Sequence, residues 1–201
     1  MQPTMKHTMV FNLVIHDKLG FQGQGDHIIQ AYNFRVCLTK NPTNRVDFPK
    51  PVNYDANRYL LLLRYINEGF WDAMNLHVLL PNGKTDLNNY GAFSSDNISM
   101  NYDWPEGTYQ TREEIFQEHV TYQLGMLYFL ANDKRVPTSI RDEVSAWGLA
   151  KDEFESTGHW PHQLYIRESR RMVSDYVMTD NNCLGYTNVQ DSIGLASFQM
   201  D

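Results

Sequence analysis

The feature that most constrains this chain is a long helical segment whose second half is apolar on nearly every side. Residues 124–131 read Leu-Gly-Met-Leu-Tyr-Phe-Leu-Ala, and a helix without a polar face is stable only when other protein surrounds it. Thr111 and Glu114 have the spacing of a capping box, which predicts a helix start at Thr111 and an end at residues 132–133. We therefore expect this helix at the centre of a core, in a body larger than the chain alone supplies.

The composition is that of a globular protein with one sizeable core. Of the 201 residues, 42% are hydrophobic and 13% aromatic, whereas disordered chains are poor in aromatic residues. The formal net charge of −7 disfavours nucleic acid as a partner, because its phosphates carry the same sign. No apolar run is long enough to span a bilayer. We find no signal-peptide pattern, and the compartment is not assigned from the sequence.

Hydrophobic periodicity predicts an α+β fold with mixed strands and about three helices. The predicted strands are 9–16, 28–38 and 75–80. The predicted helices are 55–68, 111–133 and a shorter one that Pro137 opens and Gly148 closes. Residues 163–179 fit both a strand pair and a strand followed by a helix. A polar loop from Pro81 to about Tyr109 is long enough to suggest a functional role.

The common nucleotide-binding motifs do not occur in the sequence. Gly23 and Gly25 could start a dinucleotide fingerprint, but Ile28 stands at its third glycine and a predicted strand follows in place of a helix. We interpret these glycines as a turn. The sequence also has no phosphate-binding P-loop and no nucleophile elbow of a serine hydrolase.

The sequence also gives no basis for a metal site. Two cysteines, Cys37 and Cys183, cannot ligate a zinc ion or an iron–sulfur cluster by themselves. A single disulfide between them stays open. His159 and His162 are separated by Pro161, which disrupts the helical geometry of a zinc protease motif.

One candidate functional segment begins at the end of the predicted strand 75–80. Strand ends that enter long loops often contact ligands. Side chains that can hydrogen-bond are clustered there: Asn82, Lys84, Thr85, Asp86, Asn88 and Asn89. A loop rich in Asn and Asp that caps its own backbone explains the pattern equally well.

A second candidate segment combines arginines with aromatic residues and histidine. Arg167, Arg170 and Arg171 surround Glu168 and follow His162 in the sequence. Such a cluster could bind an anion or a carboxylate through paired hydrogen bonds. The alternative is a local network of arginine and glutamate that ties structural layers together.

Several blocks of the sequence occur in an order typical of one enzyme family. They include NGKTDLNN at 82–89, NYDWP at 101–105, LYFLAND at 127–133, WGLAKDEF at 147–154, HWPHQLYIRESRR at 159–171 and YVMT at 176–179, with QAYNFRVCLT upstream at 30–39. These blocks resemble the middle of the bacterial FAD-dependent oxidoreductase family. The resemblance covers residues 25–201, and 1–24 form a poorly matched N-terminal stretch.

The resemblance implies a two-part flavoenzyme. In that family an N-terminal half with a glycine-rich turn binds FAD, the chain returns to FAD near its C-terminus, and the middle forms a substrate-facing cap. This chain resembles the cap, truncated at both ends and without either FAD-binding segment. The resemblance thus implies an inactive fragment of an enzyme that transfers hydride or electrons between FAD and a small organic substrate. The rest of its own chain, or another subunit, would complete its core.

The resemblance also implies roles for individual residues. The catalytic candidates are Lys84, Asp86 and His162. The candidates that face substrate or cofactor are Asn82, Thr85, Asn88, Asn89, Arg167 and Arg171. No residue is assigned to a metal.

Two functions from other classes stay open. One is a self-contained module that binds carbohydrate or another partner without catalysis, since Tyr and Trp beside Asn and Asp suit stacking on sugar rings. The other is a structural protein that completes its core with a second subunit.

Overall fold

A computed structural model describes residues 25, 27–74, 76 and 78–194. The chain divides into two compact units, Met1–Ser169 and Arg170–Asp201. The strand predicted at 9–16 lies outside the described residues.

The first unit contains one small antiparallel sheet of five strands. The strands are β1 (Val36–Thr39), β2 (Arg45–Val46), β3 (Leu79–Leu80), β4 (Lys84–Leu87) and β5 (Gly148–Ala150). Their order across the sheet is β2-β5-β1-β4-β3, and each described pair is antiparallel. With the helices below, this sheet confirms the α+β class.

Four α-helices are described. They are α1 (Leu60–Asn67), α2 (Tyr109–Asn132), α3 (Thr138–Ser145) and, in the second unit, the short α4 (Asp180–Cys183). A 3-10 helix, Ala56–Tyr59, leads into α1. As the sequence predicts, Asp55 caps this segment, because its carboxylate accepts a hydrogen bond from the Asn57 amide at 2.9 Å.

The core lies between the sheet and α2. Val36, Leu38, Leu87 and Leu149 from the sheet are fully buried in one cluster with apolar residues of α1 and α2. Residues 122–127 of α2 are buried without interruption, as are Phe129 and Leu130, which confirms that most of the second half of this helix is buried. The burial comes from the chain itself, so within the described residues α2 does not need the larger body that its sequence suggested.

The start of α2 differs from the prediction. The helix begins at Tyr109, and the N-cap is Thr108, whose hydroxyl accepts a hydrogen bond from the Thr111 amide at 3.1 Å. The capping box expected at Thr111 is therefore wrong, because Thr108 lies three residues upstream and takes the capping position. The predicted end at Asn132 is confirmed.

The strand predictions were too long in places and missed three strands, β2, β4 and β5. The strand expected at 28–38 is regular only from Val36, and the strand expected at 75–80 is reduced to Leu79–Leu80. Residues 163–179 form neither expected arrangement, and an isolated bridge joins Tyr165 to Asn33. Strand β4 lies within the segment predicted as a loop, because its charged residues Lys84 and Asp86 are buried against ion partners far away in the sequence, which local alternation cannot show. Gly148 begins β5 instead of closing α3.

Candidate functional site

Strands β1 and β4 place four mostly polar residues on the side of the sheet that faces away from the core. In the antiparallel register, Cys37 lies opposite Asp86 and Thr39 lies opposite Lys84, and opposed residues share one side of a sheet. Val36, Leu38, Thr85 and Leu87 point the other way, into the core. We call the set Cys37, Thr39, Lys84 and Asp86 the polar face. It contains two of the three predicted catalytic residues.

Lys84 is a buried ammonium held between two carboxylates. Its Nζ lies 2.8 Å from Asp152 Oδ2 and 2.6 Å from Glu153 Oε1, and the residue is 6% exposed. Hydrogen bonds to Asp152 and then Glu153 raise the pKa of Lys84. Lys84 therefore keeps its proton near neutral pH, so it can donate a hydrogen bond or supply positive charge but cannot act as a base.

Asp86 is held by an arginine that also contacts an aromatic ring. Arg35 Nε donates to both carboxylate oxygens of Asp86, at 3.1 and 2.8 Å, and the pair forms an ion pair. The Arg35 guanidinium lies 5.4 Å from the centre of the Tyr165 ring, and that of Arg167 lies 5.1 Å from the same ring. Tyr165 thus links the polar face to Arg167.

Cys37 is not an activated thiol. Burial, together with the negative charge of Glu153, raises its pKa to about 11, although Lys84 acts in the opposite direction. The thiolate that a nucleophilic cysteine needs is therefore scarce at neutral pH. Both Cys37 and Cys183 are free cysteines in the structure.

Arg167 joins segments that are far apart in the sequence. Its Nη1 donates to the Ala31 carbonyl and, at 2.9 Å, to Asp96 Oδ1. Its Nη2 donates to side-chain oxygens at 3.3 Å (Asn33), 3.1 Å (Asn88) and 2.9 Å (Asn89). The structure therefore brings together three predicted site residues, Asn88, Asn89 and Arg167. The Arg167 side chain is only 9% exposed. Because its hydrogen bonds link these separate segments, Arg167 has an organising role in this region.

A pocket of about 250 Å³ lies next to this arginine. Asp96, the ion-pair partner of Arg167, lines it together with Leu61, Phe93, Ile98, Met100 and Tyr122. Burial raises the pKa of the Asp96 carboxyl, and the charge of Arg167 works against that shift. A mostly apolar pocket lined by an ionisable group with a shifted pKa is a common form of small-molecule site.

The remaining predicted residues are placed separately. Asn82 adopts a left-handed conformation, φ 62°, in the turn between β3 and β4, and Asn tolerates that conformation better than most residues. The Thr85 hydroxyl donates to the Val78 carbonyl at 2.6 Å on the core side. His162 is exposed, with its ring 5.8 Å from that of Phe154. Arg171 lies in the second unit.

The sequence did not single out four residues of this region: Asn33, Arg35, Asp96 and Tyr165. Asn33 is fully buried, and its amide donates to Asn88 Oδ1 and Ser95 Oγ, both at 3.0 Å. Alternation in the segment 28–38 places Asn33 on the side of Arg35, away from Phe34 and Val36, so it does not indicate that Asn33 is buried. Asp96 also has no local signal, since its ion-pair partner Arg167 lies 71 residues away.

The described residues form neither a metal centre nor a membrane-spanning helix. Among them, no three His, Cys, Asp or Glu side chains lie close enough together to hold a metal ion. No helix in the described part of the chain has both the length and the apolar character needed to cross a membrane.

The fold is an α+β domain. Buried Arg167 and its partners Asp96, Asn33, Asn88 and Asn89, which we call the arginine network, lie beside an apolar pocket. Proteins that bind small molecules commonly combine polar groups and an apolar pocket in this way. The sequence matches the family model described as FAD dependent oxidoreductase over residues 1–201. The chain therefore belongs to the FAD-dependent oxidoreductase family. Neither the search of curated proteins nor the search of solved structures found a match.

The family description implies FAD, and dinucleotides are commonly held by a glycine-rich turn between a parallel strand and a helix N-terminus. Every strand pair within 27–74 and 78–194 is antiparallel, so these ranges contain no such turn. The first turn of α2 is already capped by Thr108. The described residues therefore do not fit the pyrophosphate of FAD in this binding mode, and we assign them no step of the flavin chemistry.

Proposed function

We propose that this domain is the substrate-facing part of an FAD-dependent oxidoreductase that oxidises or reduces a small organic substrate. The observation that carries the proposal is the arginine network described above. Arg167 donates hydrogen bonds to both Asn88 and Asn89, and its ion-pair partner Asp96 lines an apolar pocket. Polar groups that converge beside an apolar cavity orient a small ligand and exclude water from it.

Within this proposal the polar face contributes charge and hydrogen bonds. Lys84 would stabilise negative charge on a substrate oxygen, because its ammonium group is fixed by Asp152 and Glu153. Asp86 would be oriented by Arg35. His162 would be available to the substrate from its exposed position. Asn82, Thr85 and Arg171 complete the set that we expect near the substrate or cofactor.

We further propose that residues outside the described ones bind FAD, and that the domain alone has no redox activity. The support is the poor fit of the antiparallel sheet to a dinucleotide. The second unit also exposes large apolar side chains, which suits packing against the rest of the chain or another subunit. They include Met172, Val173, Val177, Met178, Tyr186 and Ile193.

A visible absorption spectrum tests this assignment on two purified proteins. One is the present chain, and the other is the chain extended by its flanking coding sequence. We expect a flavin band only in the extended protein. A band in the chain alone would place FAD on this domain and refute our assignment. The absence of a band from both, with cooperative melting of the chain, would refute the oxidoreductase function.

Carbohydrate binding without catalysis is a second candidate, and one cavity favours it. This cavity of about 430 Å³ is lined by Tyr102, His27 and the acidic residues Asp103, Glu114 and Glu118. An aromatic ring beside carboxylates suits a sugar, which stacks on the ring and donates its hydroxyls. Calorimetric titration with neutral monosaccharides, repeated on Tyr102→Ala, separates this function from the first. Absence of heat from the unaltered chain would exclude it.

A further inference from the structure

The pocket beside Asp96 lies between three parts of the first unit. Arg58 and Leu61 come from the 3-10 helix and α1, Tyr122 comes from α2, and residues 92–94 and 96–98 with Met100 form the remaining wall. Its volume of about 250 Å³ exceeds that of a cavity of about 150 Å³ that accepts benzene. The pocket can therefore take one six-membered ring with a small substituent.

Most polar groups of the pocket are already bonded to one another. Arg58 forms an ion pair with Glu118, and the Asn97 amide donates to the same carboxylate at 3.4 Å. The Tyr122 hydroxyl donates to the Ser94 carbonyl at 2.8 Å. A carboxylate has about four acceptor positions, and Asp96 receives Arg167 at one of its oxygens. Asp96 is thus the lining residue best able to accept a hydrogen bond from a ligand.

The charges around the pocket favour a neutral ligand. The guanidinium groups of Arg58 and Arg167 would repel a cation, whereas the carboxylates of Asp96 and Glu118 would repel an anion. Both ion pairs are internally balanced. A charged ligand would lose its hydration without gaining an unpaired partner.

We propose that this pocket binds a neutral ring compound with one hydroxyl or amide N–H, the ring packing on Leu61, Phe93 and Ile98 and the donor bonding to Asp96. This inference deepens the proposed function by naming a substrate class. The statement that the ring compound is the substrate rests on that proposed function. Binding itself can be measured without flavin.

Four probes of similar size separate the contributions of ring, donor and charge. Phenol has a ring and a donor, toluene has the ring alone, and benzylamine and benzoate carry opposite charges. We expect phenol to bind the full chain about tenfold more tightly than toluene, because a hydrogen bond to a charged group typically gives a tenfold gain or more. Both charged probes should bind more weakly than phenol. Protein-observed NMR titration measures all four.

Matched variants locate the binding. Ala92→Leu places extra carbon in the pocket and should abolish phenol binding, whereas Val52→Leu at a fully exposed position should leave it unchanged. If Ala92→Leu fails to fold, Ile98→Phe fills the same pocket from a half-exposed position. In Asp96→Asn we expect the preference for phenol over toluene to fall several-fold.

Three outcomes would overturn the proposal. They are equal affinity for phenol and toluene, unchanged phenol binding in the folded pocket-filling variant, and absence of binding by any neutral probe. None of these results changes the flavin spectrum, so failure of the pocket and failure of the oxidoreductase function remain distinguishable.

Discussion

The side-chain amide of Gln123 bonds to both backbone groups of Phe34, as a neighbouring strand would do in a sheet. Its Oε1 accepts from the Phe34 amide at 2.8 Å, and its Nε2 donates to the Phe34 carbonyl at 2.9 Å. Both residues are buried. Helix α2 is therefore fixed to the chain just before β1 by a pair of hydrogen bonds that satisfies both backbone groups of one residue.

Gln123→Met should destabilise the protein by about 2–6 kcal/mol, because two buried backbone groups lose their partners at about 1–3 kcal/mol each. Urea unfolding monitored by circular dichroism measures the change. Gln117→Met is the control, since Gln117 is exposed on the same helix, and we expect it to stay within about 0.5 kcal/mol of the unaltered protein. Equal effects of the two substitutions would contradict the role of Gln123.

Gly125 gives α2 its close contact with Tyr59. A Cβ at this position would overlap the Tyr59 hydroxyl and lie 3.2 Å from its Cζ. Gly125→Ala should therefore cost about 1–3 kcal/mol through overpacking, although alanine is the better helix former. Tyr59→Phe removes the overlapping atom and also the hydrogen bond from Tyr59 to the Tyr122 carbonyl. A double-mutant cycle should show that the double variant is more stable than the summed single effects predict. Strict additivity would refute the overlap.

The different outcomes for α2 and β4 show what the sequence could predict. Helix α2 was evident because apolar residues fill consecutive turns, and no partner needs to be known to infer burial. Strand β4 was missed because Lys84 and Asp86 are charged. Their burial depends on Glu153, 69 residues away, and on Arg35, 51 residues away. Long-range ion pairs leave no local pattern.

The site shows the same limit. Asn88, Asn89 and Arg167 could be selected because polar side chains cluster locally around them. Asp96 could not, since an Asp in a polar loop is ordinary until Arg167 buries it. The sequence therefore selected three residues that the structure brings together and missed the pocket beside them.

His119 should make the stability of the fold depend on pH. Its Nδ1 donates to the Ile115 carbonyl at 2.7 Å, and burial lowers its pKa, outweighing that bond and the charge of Glu118. The unfolded chain, with a pKa near 6.5, then binds the proton more tightly than the folded chain. The stability due to His119 is thus full above about pH 6.5 and decreases as the pH falls toward the lowered folded-state pKa, by up to about 1.4 kcal/mol per pH unit.

Urea unfolding at pH 7.5, 6.5 and 5.5 measures this dependence. His119→Gln should flatten the slope between pH 6.5 and 5.5. His162→Gln, at an exposed position, should leave the slope as it is in the unaltered chain. An identical slope in all three proteins would show that His119 does not cause it.

Arg167→Lys should cost about 3 kcal/mol, because an ammonium group cannot reproduce the fork that reaches Asp96, Asn33, Asn88 and Asn89 together. Arg135→Lys is the matched control. Arg135 also makes forked bonds to a carboxylate, that of Asp133, but its side chain is 45% exposed, and exposed pairs contribute about 0–1 kcal/mol. Calorimetric melting of both variants measures the difference. A smaller loss for Arg167→Lys than for Arg135→Lys would contradict the organising role.

The predicted catalytic residues are tested in the complete, flavin-containing protein. Alanine at Lys84 or Asp86 should slow flavin reduction by substrate more than about tenfold, as expected when a positioned charge is lost from a reacting centre.

Because Lys84→Ala leaves Asp152 and Glu153 without their partner, its rate is compared at a temperature where melting shows the variant to be folded. Asp86→Asn preserves the size of the side chain and provides a second measurement. Lys151→Ala, an exposed residue next to Asp152, should keep the original rate. Near-normal flavin reduction in folded Lys84→Ala and Asp86→Asn would remove the polar face from the reaction and leave its ion pairs a structural role alone.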